Sequence, residues 1–136
     1  MEELSAAAQR LSWEPSNGKE GKPMKTSLRG PHVLSFDILE RVLPKSRTGI
    51  FALGFEDREG RFRVQSVGRD DYDLRARLCE LIGSSAMFKF ATHPTARQAF
   101  DHECELFHAL RPPSNFIHPG RPAGTDWQCA HCLQFH

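Results

Sequence analysis

Two runs rich in apolar residues, separated by only five others, constrain this chain more than any other feature. Thr48-Gly-Ile-Phe-Ala-Leu-Gly-Phe and Arg61-Phe-Arg-Val-Gln-Ser-Val-Gly flank Glu56-Asp-Arg-Glu-Gly60. The second run alternates apolar with polar residues, the pattern of a strand covered on one face. The pair is predicted to form a β-hairpin. After Gly68 the segment Arg69-Asp-Asp-Tyr-Asp73 reads as a loop, and beyond it Leu74, Leu78, Leu81 and Ile82 fall at helical spacing, with Asp73 as N-cap and Gly83 as the stop. Met87-Phe-Lys-Phe-Ala-Thr alternates as a short strand, and Thr95 caps a long helix through Leu110 that Pro112-Pro113 terminates. Ahead of the hairpin, Ser35 caps a helix beginning at Phe36, which places Phe36, Leu39 and Val42 or Leu43 on one face before Pro44.

The expectation is an α+β domain with a small three-stranded antiparallel sheet flanked by helices. Residues 1–30 are read as a flexible N-terminal arm, because Ser12 to Gly30 is rich in Ser, Pro, Gly, Lys and Glu and cannot bury enough surface to offset its ordering entropy. Leu4 to Leu11 has the makings of one short, marginal helix within it. Residues 31–47 supply the N-terminal helix and a linker, and 48–136 the principal domain, whose last stretch from Ser114 reads as an irregular tail. A length of 136 residues leaves room for about one domain.

Charge excludes a global attraction to polyanions, since 18 Lys+Arg against 17 Asp+Glu give a net charge of +1. Any polyanion must be met by a local patch. From Pro31 onward 11 of the 13 basic residues are Arg, whose planar fork suits phosphate and carboxylate. No apolar run approaches the ~20 residues that cross a bilayer, and Met1-Glu-Glu-Leu-Ser does not resemble a secretory signal. A cytoplasmic protein with no membrane partner and reduced thiols at Cys79, Cys104, Cys129 and Cys132 is expected.

Five short motifs then occur in order on these elements: Gly49-Ile50-Phe51, Ser66-Val67-Gly68, Leu74-x-x-Arg77, Ala99-x-x-x-Glu103 and Arg111-Pro112-Pro113-Ser114-Asn115. Together they resemble the GIY-YIG nuclease superfamily. The resemblance implies hydrolysis of DNA phosphodiester bonds with one divalent cation, Mg²⁺ or Mn²⁺. It implies Glu103 as the metal ligand, Arg77 as stabiliser of the scissile phosphate and Asn115 as a brace for the site. A hard cation of this kind takes oxygen ligands and keeps several waters, so one carboxylate plus substrate phosphate can hold it.

Both hallmark tyrosines are replaced, by Phe51 and Ser66. Since a phenyl ring accepts no proton, water activation falls to a metal-bound hydroxide or to a histidine, with His102, His108 and His118 nearest in sequence to Glu103 or Asn115. Tyr72 is the only tyrosine. Arg63, Arg69 and Arg75 are candidate contacts to a nucleic-acid backbone alongside Arg77. A non-catalytic nucleic-acid-binding module on the same fold is the alternative reading. A zinc-stabilised interaction domain is a third, because Cys129-Ala-His131-Cys132, with His118 and His136 nearby, is half of a zinc site. Two further ligands are needed, and no second pair lies at a usual interval.

Overall fold

The computed structural model describes residues 27–115 and 117–132; the expected helix at Leu4 to Leu11 lies outside them. Four strands and three helices follow one another as β1 (Arg29–Val33), α1 (Phe36–Val42), β2 (Gly49–Glu56), β3 (Phe62–Asp70), α2 (Leu74–Glu80), β4 (Met87–Thr92) and α3 (Ala96–Leu110). The sheet runs β1-β4-β2-β3 with every pairing antiparallel. No helix among the described residues is long and apolar enough to cross a membrane.

The hairpin forms as its pattern predicts. Asp57 closes the turn, its Oδ1 accepting from the amides of Glu59 and Arg61, while Gly60 adopts the positive φ of +81° that an L side chain resists. β2 is an inner strand with layers on both faces. That explains why its apolar run is unbroken where β3 alternates. Phe51 and Leu53, with Phe88 and Phe90 of β4, pack beneath α1 and α2 against Leu39, Leu43, Leu74 and Leu78. Ile50 and Ala52 point the other way and join Phe62, Val67, Ala99 and Leu106 under α3. Thus α2 and α3 cover opposite faces of the sheet.

Each helix starts at the residue its cap dictates: the side chains of Ser35, Asp73 and Thr95 accept from the amides of Ile38, Ala76 and Gln98. The phenyl ring of Phe51 lies flat over Gly68, where a Cβ would come within 2.3 Å of its Cζ. Only glycine leaves room for that ring.

Two expectations are corrected. The sheet has four strands, because Arg29–Val33 pairs with β4. Its Gly30 and Pro31 break the alternation from which a strand is read, and Pro is tolerated there because β1 is an edge strand. Secondly, β3 continues to Asp70, so Arg69 belongs to the sheet rather than to the following loop. Two residues beyond Val67, it projects toward α3.

Candidate metal centre

The last turn of α3 carries His108. Arg111 then adopts a left-handed conformation at the C-cap, φ 46° and ψ 61°, and Pro112 cannot extend the helix. The chain turns back along β3. Its free edge is covered there: the Ser114 amide donates to Gln65 O at 2.8 Å, and the Asn115 side chain both accepts from Val67 N at 2.7 Å and donates to Val67 O at 3.1 Å. The carboxamide thereby replaces a missing strand partner.

Beyond this brace the tail has no helix or strand among its described residues, yet it returns to α3 at two places. Trp127 packs at 5.8 Å, centroid to centroid, against Phe100, and the Arg97 guanidinium lies 5.4 Å over the Trp127 ring. His118, Cys129 and Cys132 meet His108, and the four possible ligand atoms lie within 4.8 Å of one another.

Three separations show what the cluster is suited to hold. His108 Nε2 is 3.2 Å from His118 Nε2 and 3.4 Å from Cys129 Sγ, while Cys132 Sγ is 3.5 Å from His118 Nε2. For a tetrahedral ion about 2.0 Å from nitrogen and 2.3 Å from sulfur, ligand atoms stand roughly 3.3 Å apart for a nitrogen pair and roughly 3.5 Å for nitrogen and sulfur. Hydrogen bonding alone explains the arrangement less well. An imidazole nitrogen offers one in-plane direction, either a proton or a lone pair, whereas His108 Nε2 faces two partners at once. A shared cation lets every lone pair point at the same centre.

The surroundings prepare these atoms for a metal. His118 Nδ1 lies 2.9 Å from Pro119 O, and because a carbonyl only accepts, this contact puts the proton on Nδ1 and turns the Nε2 lone pair toward the cluster. The His131 amide donates to Cys129 Sγ at 3.3 Å and helps fix the position of the sulfur. Burial first, then the neighbouring His118, His131 and Arg111, hold His108 below the usual imidazole range and so in its neutral, ligating form. Cys104, one turn earlier on α3, is buried against Cys129; burial foremost and that neighbour push its thiol upward and keep it protonated.

The residues expected to act on phosphate are distributed differently. Glu103 lies on α3, where it meets Arg69 of β3: Arg69 Nη1 donates to Glu103 Oε1 at 2.8 Å. The same guanidinium donates from Nε to Asp71 Oδ1 at 2.8 Å and from Nη2 to Gly120 O at 2.7 Å, and rests 5.4 Å over Phe100. One buried cation therefore joins β3, α3 and the tail. Arg77 sits on α2, the helix of the opposite sheet face, and donates to Glu80 at 3.2 Å. Arg63 pairs with Asp57 in the hairpin turn, and Arg75 donates to Leu43 O at 3.4 Å. Phe51 is core, and Tyr72 is exposed. Of the three candidate bases, His108 and His118 belong to the metal cluster, and His102 Nδ1 lies 2.9 Å from His93 Nε2.

Burial lifts the Glu103 carboxyl to about 7 against the opposing pull of Arg69. In the unfolded chain its ordinary value is 4.5, so between those values the unfolded state gives up a proton that the folded state keeps. The sign follows: this group's contribution is most favourable below its unfolded value and erodes as pH rises through the folded one. Glu103→Gln keeps the acceptor for Arg69 without the titration. For metal-loaded protein, the melting temperature of wild type relative to Glu103→Gln is expected to fall between about pH 5 and pH 8. A constant difference across that range would show that the carboxyl titrates normally.

Comparison with family models, with curated proteins and with solved structures finds no match to this chain. What the residues can do is therefore argued from their own geometry. His136 lies outside the described residues, and the sequence, which points to Cys129 and Cys132 with His118 nearby, leaves the full set of ligands open. His108 and His118 complete it from 21 and 11 residues upstream of Cys129, intervals that only the reversal after α3 turns into proximity.

Proposed function

We propose that this chain is a zinc-binding domain whose metal is structural. The convergence of His108, His118, Cys129 and Cys132 carries the reading. Two imidazoles and two thiols suit Zn²⁺, and four protein ligands leave no open position for an activated water, as in closed structural sites. The ion would fasten the tail to α3 and so keep the cover over the β3 edge in place. A partner-binding role follows better than catalysis from such a site, since its chemistry is spent on holding the fold.

Elemental analysis of the full chain, purified without chelator, should give one zinc per molecule. Co²⁺ substitution should give the absorption of a tetrahedral, thiolate-containing site. Protein that holds no stoichiometric metal and fails to take up added Zn²⁺ would overturn the proposal.

A second reading, a divalent-metal endonuclease related to the GIY-YIG superfamily, draws support from Asn115, whose carboxamide braces Val67 between Ser66 and Gly68. Against cleavage stand the phenyl ring at Phe51 and the engagement of Glu103 with Arg69. Supercoiled plasmid incubated with Mg²⁺ or Mn²⁺ should remain intact with wild type and with Glu103→Ala alike. Metal-dependent nicking that disappears in the variant would establish the nuclease instead. A salt-sensitive shift of DNA by both proteins, without nicking, would assign a binding module.

A further inference from the structure

We propose that Cys104 and Cys129 are a redox pair at the rim of the metal cluster, joined by peroxide in a disulfide whose formation releases the zinc ion. The proposal rests on the zinc reading above. Three of the four cysteines meet here, Cys104 and Cys129 within one small core with Phe100, and Cys132 packed beside it with Trp127. The cluster of ligand atoms takes two of them and leaves Cys104 out. Yet Cys104 packs in the same small core as Cys129, both side chains almost fully buried. The helix α3 holds it there, one turn ahead of His108.

This placement distinguishes Cys104 from Cys132 as a partner. With zinc bound, the sulfurs of Cys129 and Cys132 are held apart by the ion they share, and pairing them requires both bonds to zinc to break. Cys104 is tied to no metal, so it can attack an oxidised Cys129 sulfur directly. In the first step the Cys129 sulfur attacks one oxygen of hydrogen peroxide; the S–O bond forms, the O–O bond breaks, and hydroxide leaves. In the second, the Cys104 sulfur attacks Cys129, an S–S bond forms, the S–O bond breaks, and the departing hydroxide takes the Cys104 proton to become water. Two sulfurs lose one electron each relative to the thiolates, and peroxide is reduced to two waters once the first hydroxide is protonated. A disulfide sulfur is a poor zinc ligand, so the ion is left with two imidazoles and one thiolate and departs.

The test treats the zinc-loaded full chain with a small excess of hydrogen peroxide, follows zinc with a chromophoric chelator and maps disulfides by peptide mass. Expected are one zinc released per chain, a peptide linking residues 104 and 129, and recovery with dithiothreitol plus Zn²⁺. Cys104→Ala should slow release on the order of tenfold and drive Cys129 to irreversible sulfinic acid, while Cys79→Ala behaves as wild type. A wild-type disulfide between Cys129 and Cys132, or unaltered release from Cys104→Ala, would overturn the pairing. Mapping on wild type decides the matter even if the variant does not fold. Should the starting protein hold no zinc, the zinc reading fails at that measurement, and mapping on metal-free protein still decides which sulfurs pair.

Discussion

Stripping the proposed zinc ion with a strong chelator is expected to release the tail from α3 while leaving the sheet in place. The four ligands come from the end of one helix and from a segment with no backbone ladder of its own, so little besides Trp127, the Asn115 brace and the Arg69 contact holds that segment once the ion is gone. The sheet, by contrast, owns two apolar layers, and only Phe107 at the margin of the second meets the cluster, 5.4 Å from the His118 ring. Chymotrypsin should then cut at Trp127 in the stripped protein and spare the metal-loaded form. Far-ultraviolet circular dichroism should change little. Cys132→Ser or His118→Ala should weaken zinc by about a thousandfold, roughly 4 kcal/mol, since a closed site loses one of four bonds and much of its geometry. Melting temperature of the zinc-loaded protein should drop by about 10 °C or more. Affinity within tenfold of wild type for both variants would remove those side chains from the coordination sphere.

Replacing Arg69 is expected to cost nearly as much, although it touches no ligand atom. Its guanidinium is about nine-tenths buried and neutralises two carboxylates, Glu103 and Asp71, while filling the carbonyl of Gly120. At about pH 8, where the Glu103 carboxyl of the wild type is ionised, Arg69→Gln leaves those groups facing one another without a cation and forces Glu103 to take up a proton or stay unpaired, which costs up to about 3–5 kcal/mol. Arg69→Lys should recover only part, because one ammonium cannot reproduce a fork that reaches three partners. Arg63→Gln is the control: its pair with Asp57 is exposed, and its loss should cost no more than about 1 kcal/mol. Urea titrations of the three variants give the comparison. Equal stability of Arg69→Gln and Arg63→Gln would show that the buried network contributes nothing beyond a surface pair.

The network also accounts for a difference between reading the chain and seeing it folded. Arg69 was expected in a loop and exposed to phosphate; one further turn of alternation along β3 instead carries it under α3. Glu103 was expected to await a cation from solvent and has an arginine in hand. Neither outcome is visible in the local pattern, because a strand's end is set by what its neighbour pairs with, and β2 pairs with β3 as far as Asp70. β1 escaped notice for a related reason. Gly30-Pro31 carries no strand signal, and the segment is extended because the edge of β4 accepts it.

What the chain's own sequence determined was everything that depends on neighbours within a few residues: the hairpin around Asp57 and Gly60, the three capped helices, the strand at Met87–Thr92 and the stop at Pro112. Capping, turn chemistry and apolar period act over one turn or one strand, so they can be read in order along the chain. The metal cluster and the Arg69 network were decided only by tertiary structure. Their members lie on separate elements, and no local rule states that the tail folds back so that Cys129 meets His108 or Gly120 meets Arg69. Proximity across such intervals is a property of packed layers, created when α3 settles on Ile50, Ala52 and Val67 and the chain beyond it has one sheet edge left to follow.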